Sequence, residues 1–348
     1  MTLLLTSSIL LGIFSFFNLL GINQEFAIFQ LVFLILGAVL FIFIRVIDAE
    51  YFKKNYKFFY WLFIFLLISV FVIGEEIRGS KRWIDLYFFN FQPSEIFKVF
   101  FIVFIAKFIS LREEDMDRRR VFALALLYLF IPFFLVFKQP DLGNALSYVV
   151  IFFSIVLFSK IPKKYIVTLV LIAVLALPLS WNVLREYQKQ RVVSFFIPND
   201  DFQGTNYNML QSKISAGSGK FSGRGLGYGT QSKLFFLPES HTDFAYSSLS
   251  EQFGFIGALS VIILYFLICL KIIKLIIKNY TKIDREERYY LYYSVGFLSY
   301  FCFQIFVNIA MNLGSFPIAG VSLPILSYGG SSIATYALGI ALMPIDRV

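Results

Sequence analysis

The stretch FAIFQLVFLILGAVLFIFIRV, Phe26–Val46, decides what kind of protein this is. Only Gln30 and Arg45 in it are polar, and Arg45 stands next to its end. As a helix it rises about 1.5 Å per residue and reaches about 30 Å, the thickness of a bilayer's hydrocarbon core. A helix apolar on every side is buried in a large core or lies in a membrane. The rest of the chain favours the membrane. Comparable runs occupy 3–20, 58–74, 94–110, 120–137, 142–159, 165–181, 254–277, 289–313 and 327–345. With the first stretch they make about ten spans, and an all-α, polytopic membrane protein with residues 1–348 as one integral membrane domain is expected.

Composition agrees. Of 348 residues 58% are hydrophobic and 15% charged, against about 25% charged in soluble domains, and mean hydropathy is +0.75. The net charge of +9 forms no basic face or arm, so nucleic acid is not an expected partner. The cations sit in short clusters between apolar runs, as topology signals do. Arg45, Lys53, Lys54, Lys57, Lys107, Arg112, Arg118 to Arg120, Lys160, Lys163, Lys164 and the 271–288 group fall on one side if the N-terminus is inside. The short loops of the other side hold only Arg78, Lys81, Arg82 and Lys138. Both termini are therefore expected in the cytoplasm. Met1 to Leu5 lack a basic n-region, so a first span is expected there, not a signal peptide. Cys269 and Cys302 lie in apolar runs, and His241 is the only histidine, which excludes a disulfide framework and a multi-histidine metal site. No internal repeat is visible, which counts against an inverted-repeat transporter.

Residues 182–253 are too polar to span and too long for an ordinary connection, and loops of that length tend to be functional or disordered. By the charge rule this one is extracytoplasmic. Its Gly217–Gly229 stretch lacks the Gly-Lys-Ser/Thr ending of a phosphate loop and is expected to be a mobile loop over a groove. Asp243, with Glu239, His241 and Thr242 just before it, precedes an apolar helix at the membrane face. It suits either a general base for a sugar hydroxyl or a helix N-cap. Glu95 and Lys98, three apart, share a helix face. Buried charges of this kind line a cavity or neutralise one another. Asp141 follows Pro140 and suits a cap. Lys81, Arg82, Arg191, Lys213, Lys220, Arg224 and Lys233 are cations of the outer side that could hold a diphosphate, or solvated surface charges. Gly314 to Ser332, with Pro317, Pro324, Gly329 and Gly330, reads as a re-entrant or broken helix, tolerable only where buried in protein or lining a cavity.

These segments together resemble the shape, elongation, division and sporulation family of bacterial cell-wall proteins, over nearly the whole chain after the first span. The carriers are Lys81-Arg82-Trp83-Ile84-Asp85 with Gln92-Pro93-Ser94-Glu95, and Lys138-Gln139-Pro140-Asp141-Leu142-Gly143. Tyr207-Asn208 with Gln211-Ser212-Lys213, Leu237-Pro238-Glu239 with His241-Thr242-Asp243-Phe244, and Leu323-Pro324 with Ser327-Tyr328-Gly329-Gly330-Ser331-Ser332 complete them. The wording of 81–85 and 88–95 is nearer the rod-shape branch than the division branch.

The resemblance implies a peptidoglycan glycosyltransferase of the bacterial cytoplasmic membrane. It would polymerise lipid II into glycan strands during elongation and release undecaprenyl diphosphate. Its implied partners are a class B penicillin-binding protein, the elongation machinery and membrane lipid. Asp243 takes the position of the essential acidic residue, which moves the balance from cap to catalysis. Glu95, Lys98 and Asp141 fall on the central cavity. Arg82, Arg191, Lys213, Lys233, His241 and Thr242 are the further substrate-binding candidates, and a divalent cation (Mg or Mn) could accompany the diphosphate. Ser250-Glu251-Gln252 replaces the family's usual Gly-Glu-Glu, Asn144 its usual Thr and Ser322 a Pro, which puts a role for a second Glu in doubt. A lipid-linked precursor flippase and a non-catalytic scaffold are the competing functions.

Overall fold

The computed structural model describes residues 2–77, 80–85, 90–180, 205–280 and 284–344, together with Lys189 and Val193; Arg191 lies outside the described residues. Each of the expected apolar runs contains a helix. These are α1 (Thr2–Ile22), α2 (Gln24–Ile47), α4 (Tyr56–Ile73), α5 (Pro93–Arg112), α6 (Arg118–Lys138), α7 (Leu142–Phe158), α8 (Lys164–Ser180), α11 (Ala245–Tyr280), α12 (Arg285–Asn312) and α13 (Gly330–Ala341). The short α3 (Ala49–Lys54), α9 (Thr205–Ser218) and α10 (Thr230–Lys233) connect or flank them. Six helices, α1, α2, α4, α6, α11 and α12, are long and apolar enough to cross a membrane, and α7 is a shorter apolar one.

Helix α5 is the axis. It is buried along most of its length and packs against α4, α6, α7, α12 and α13. The phenylalanines that make the sequence so apolar fill this contact: Phe97 stacks on Phe63 at 5.6 Å, and Phe104 on Tyr60 at 4.1 Å. Two glycines let neighbours close in. A Cβ on Gly296 of α12 would stand 2.9 Å from side-chain atoms of both Ile102 and Ile155, and one on Gly339 of α13 2.0 Å from Phe297.

The two ends of the bundle differ. At one, the connections after α5, α7 and α11 are tied by charge. Buried Glu113 accepts from Tyr292 Oη at 2.8 Å, from the Lys160 N–H at 2.9 Å and from Arg288 at 3.2 Å. Lys53 reaches Glu50 at 2.7 Å and Glu286 at 2.9 Å. At the other end lies a small antiparallel meander that the apolar pattern did not announce. It comprises β1 (Glu75–Ile77), β2 (Ser80–Asp85) and β3 (Asn90–Phe91), in the order β1-β2-β3.

Two expectations change at this second end. The stretch 217–229 does not overhang a groove; it packs backbone to backbone on the start of α11. The N–H of Arg224 donates to Glu251 O at 2.9 Å and that of Phe255 to Lys220 O at 2.9 Å, and a Cβ on Gly219 would lie 1.8 Å from Ser250 O. Glu251 itself is buried and accepts from Gln231 N, Ser232 N and Ser232 Oγ, so it anchors α10, which follows this stretch. The span expected at 327–345 is helical only over Gly330–Ala341. Twelve residues rise about 18 Å, and the missing length is irregular chain before Gly330. Helix α11 breaks at Gly254 (φ 66°), where the apolar run begins.

Gly296→Val would drive a side chain into Ile102 and Ile155. Overpacking of this kind costs about 1–3 kcal/mol, and thermal unfolding in detergent should show the loss.

Candidate active site

The irregular chain before α13 enters the bundle without forming a helix, so its backbone groups need other partners. Side chains from four helices supply them. Gln30 Nε2 of α2 donates to Ile325 O at 3.0 Å and Ser327 O at 3.1 Å, and Ser15 Oγ of α1 to Leu326 O at 2.8 Å. Tyr265 Oη of α11 donates to Pro324 O at 2.6 Å and Asn308 Nδ2 of α12 to Val321 O at 2.7 Å. The segment is also laced to the chain before α11: the Tyr328 N–H donates to His241 O at 2.8 Å, and Ser327 Oγ to Thr242 O at 2.7 Å. The broken, cavity-lining segment expected from its prolines and glycines is therefore present, and polar residues hidden in apolar runs hold it.

Between this segment, the meander and the starts of α2 and α5 lies a cavity of about 480 Å³. Phe29 and Phe33 give it an apolar wall. Its polar lining includes Arg82, Asp85, Glu95, Asn144, Glu239, Thr242 and Asp243, with Gly320 and Tyr328 to Ser332. Four of the expected site residues, Arg82, Glu95, Thr242 and Asp243, thus meet in one place. Asp243 lies opposite Gly320 (φ 63°), where a Cβ would stand 3.9 Å from Asp243 Oδ2. The Asp243 carbonyl accepts from Asn308 Nδ2 at 3.0 Å and Asn312 Nδ2 at 2.9 Å. The first-turn N–H of Ser247 is bonded by Asn312 Oδ1 at 2.9 Å, so α12 caps that group of α11. Thr242 Oγ1 donates to Glu239 Oε2 at 2.8 Å.

Behind the lining sits a second polar layer. Lys98 pairs with Glu95 at 2.8 Å and donates to Asn144 Oδ1 at 2.7 Å, fully buried, with its ammonium 4.9 Å from the Tyr300 ring centre. Asp141 caps α7 by accepting from the Asn144 N–H at 3.2 Å. Its other oxygen accepts from Gln92 Nε2 and Asn144 Nδ2, both at 2.9 Å, and lies 3.5 Å from Arg82. The cap and the cavity thus share one carboxylate, which orients the Arg82 guanidinium while that side chain lies over Trp83 at 4.5 Å.

The remaining candidates are elsewhere. His241 is stacked on Phe26 (4.3 Å between ring centres) behind Tyr328 and does not line the cavity. Lys233 donates to Gly227 O at 2.9 Å, and Lys213, on α9, lies against Gly314; both are exposed and away from the lining. Missed in the sequence were Asn308, Asn312 and Gln30. The signal was there, since each is an amide inside an apolar run, where an unpaired polar group is costly. Among the described residues no group of three His, Cys, Asp or Glu side chains is arranged to hold a metal ion.

A family model described as "Cell cycle protein", for FtsW, RodA and SpoVE, matches residues 2–347. The chain is 33% identical over 309 residues to the peptidoglycan glycosyltransferase MrdB of Escherichia coli (strain K12), covering 88% of this chain and 82% of that protein. It is 34% identical over 330 residues to the probable peptidoglycan glycosyltransferase FtsW of Pseudoalteromonas translucida, covering 93% and 81%. A solved chain from work on structural coordination of polymerization and crosslinking by a peptidoglycan synthase complex aligns with TM-score 0.82 at 27% identity, covering 99% of this chain and 97% of that one. The rod shape determining protein RodA of Thermus thermophilus shares the fold, with TM-score 0.73 at 24% identity over 99% and 95%.

Lys98→Met should strand Glu95 as an unpaired buried carboxylate and destabilise the protein by about 3–5 kcal/mol. The double substitution Glu95→Gln with Lys98→Met should recover most of that loss in thermal unfolding.

Proposed function

The chain belongs to the cell cycle protein family of FtsW, RodA and SpoVE, and from that membership we propose that it is a peptidoglycan glycosyltransferase joining lipid II units into glycan strands. One observation supports the chemistry. Asp243 and Arg82 face the same polar cavity at one end of an apolar bundle, so a carboxylate can act on the acceptor's hydroxyl while a guanidinium meets the diphosphate of the donor.

In this reading Asp243 is the general base. It takes the proton of the acceptor's 4-hydroxyl as that oxygen bonds to the donor's anomeric carbon. The bond from that carbon to the diphosphate breaks, and undecaprenyl diphosphate leaves with the electron pair. Attack from the face opposite the leaving group turns an α-linked diphosphate into a β-1,4 linkage. Arg82, held by Asp141, meets the diphosphate charge; an Arg fork suits phosphate oxygens. Behind the lining, Lys98 pairs with Glu95, and Asp141 holds Asn144 and Arg82, so the polar groups that face the cavity are fixed in place. A divalent cation, Mg or Mn, would arrive bound to the diphosphate and offset part of its charge.

The cavity end faces outward and both termini lie in the cytoplasm. Basic residues support this orientation, since Lys53, Arg112, Lys160, Lys163 and Lys164 are at the opposite end of the bundle. The protein serves elongation rather than division, beside a class B penicillin-binding protein that crosslinks the new strand.

General-base catalysis contributes about 10²–10⁴-fold. Asp243→Asn in the purified chain with its partner should slow polymerisation of lipid II by at least about 100-fold, read by gel, while the protein stays folded. A wild-type rate would refute the role. For orientation, Tyr228→Cys in a chain lacking Cys269 and Cys302 should react with an impermeant maleimide in cells whose outer leaflet is accessible, and protection there would reverse the topology.

A further inference from the structure

Asp243 sits on irregular chain just before α11, and nothing regular in the backbone fixes its place. What fixes it comes from α12. Asn308 and Asn312 are four residues apart, so they lie on one face of the last turn, and both are fully buried. Each sends a side-chain N–H to the same atom, the Asp243 carbonyl oxygen, at 3.0 and 2.9 Å. Such a pair is expensive in an apolar span unless every polar atom is met, and here they are met. Asn308 gives its second N–H to Val321 O at 2.7 Å, and Asn312 gives its own to Asn308 O at 2.9 Å. Asn312 Oδ1 accepts from Ser247 N at 2.9 Å. These partners are backbone groups whose donor or acceptor character is fixed, which sets both amide orientations.

The consequence is geometric. Asn308 joins the two walls of the cavity, because it holds Asp243 on one side and Val321, next to Gly320, on the other. Asn308 thus bridges directly the two stretches of backbone on either side of the gap between Asp243 Oδ2 and Gly320. Asn312 ties the same carbonyl to the first turn of α11. From α9, Ser212 Oγ donates to Asn312 O at 2.8 Å, which holds that site in turn.

We propose that Asn308 and Asn312 are positioning residues for the transfer reaction: their amides hold the Asp243 backbone so that its carboxylate reaches the acceptor hydroxyl. This rests on Asp243 being the base. Neither asparagine lines the cavity, so both act through Asp243 and substrate contacts stay intact.

The test uses the full chain with its partner and compares Asn308→Leu, Asn312→Leu and the double variant, close in size to the amides they replace. Misplacement of a reacting group by about 1 Å costs on the order of 100-fold. The double variant should lose about that factor in kcat, with KM for lipid II within about threefold because ground-state binding is untouched. Each single variant, keeping one donor, should lose less. Built on Asp243→Asn, the double variant should bring no further loss, since there is no base left to aim; groups acting as a unit are non-additive. If the double variant does not accumulate in membranes, the single variants carry the same comparison. Wild-type kcat in the asparagine variants, a change confined to KM, or a full additional loss on the Asp243→Asn background would overturn the positioning role while leaving Asp243 as base. An active Asp243→Asn would overturn both.

Discussion

Backbone that leaves a helix inside an apolar bundle must find partners for its N–H and C=O groups, because neither lipid nor packed side chains will hydrate them. The chain from Gly320 to Tyr328 meets that demand with Gln30, Ser15, Tyr265 and Asn308, each from a different helix. Almost everything at the cavity end follows. The same bonds that satisfy the broken segment pull α1, α2, α11 and α12 around it, and the segment then forms one wall of the polar cavity. Its lacing to His241 and Thr242 brings Asp243 to that wall. Strain is accepted in return. Ile325 and Glu239 hold positive φ values of 70° and 56°, which cost about 1–2 kcal/mol each for L-residues and persist only where neighbours over-determine them.

Much of this was legible in the residues. The apolar runs located every long helix, because a membrane's thickness and a helix's rise leave few other solutions. Pro317, Pro324, Gly329 and Gly330 announced the broken segment, and Glu95 with Lys98 announced an internal pair. Other features were hidden for physical reasons. Polar Ala245–Phe253 is helical because it packs on α9 and α1, and no periodicity revealed that. The length of α13 is set by the bonds that capture the chain before it, so the apolar run overstated it. The meander needed pairing between segments that each look like loop. Lys213 and Lys233 were attractive as outer cations, but charge sign carries no distance, and they fall outside the lining. Asp141 does more than cap, since one oxygen caps α7 and the other holds Gln92 and Arg82.

The two ends of the molecule divide the work. At the end away from the cavity, buried Glu113 with Arg288 and Tyr292 locks the connections between helices, and that cluster makes no contact with substrate in this account. At the cavity end Lys98 is paired with Glu95 and Arg82 with Asp141, and Asp85, Glu239 and Asp243 also face the cavity. In the proposed reaction Arg82 meets the charge of the diphosphate and Asp243 takes the proton of the acceptor hydroxyl. The deep apolar packing around α5 is what permits this arrangement, since it keeps the second layer rigid and dry.

The most direct measurement is photo-crosslinking of the membrane-embedded chain with a lipid II analogue carrying its reactive group on the sugar beside the diphosphate. The account predicts adducts on 82–85, 90–95, 239–243 and 320–332, the segments that supply much of the cavity lining. Adducts confined to the outer apolar surface of the bundle, or to the end that carries Glu113, would contradict it.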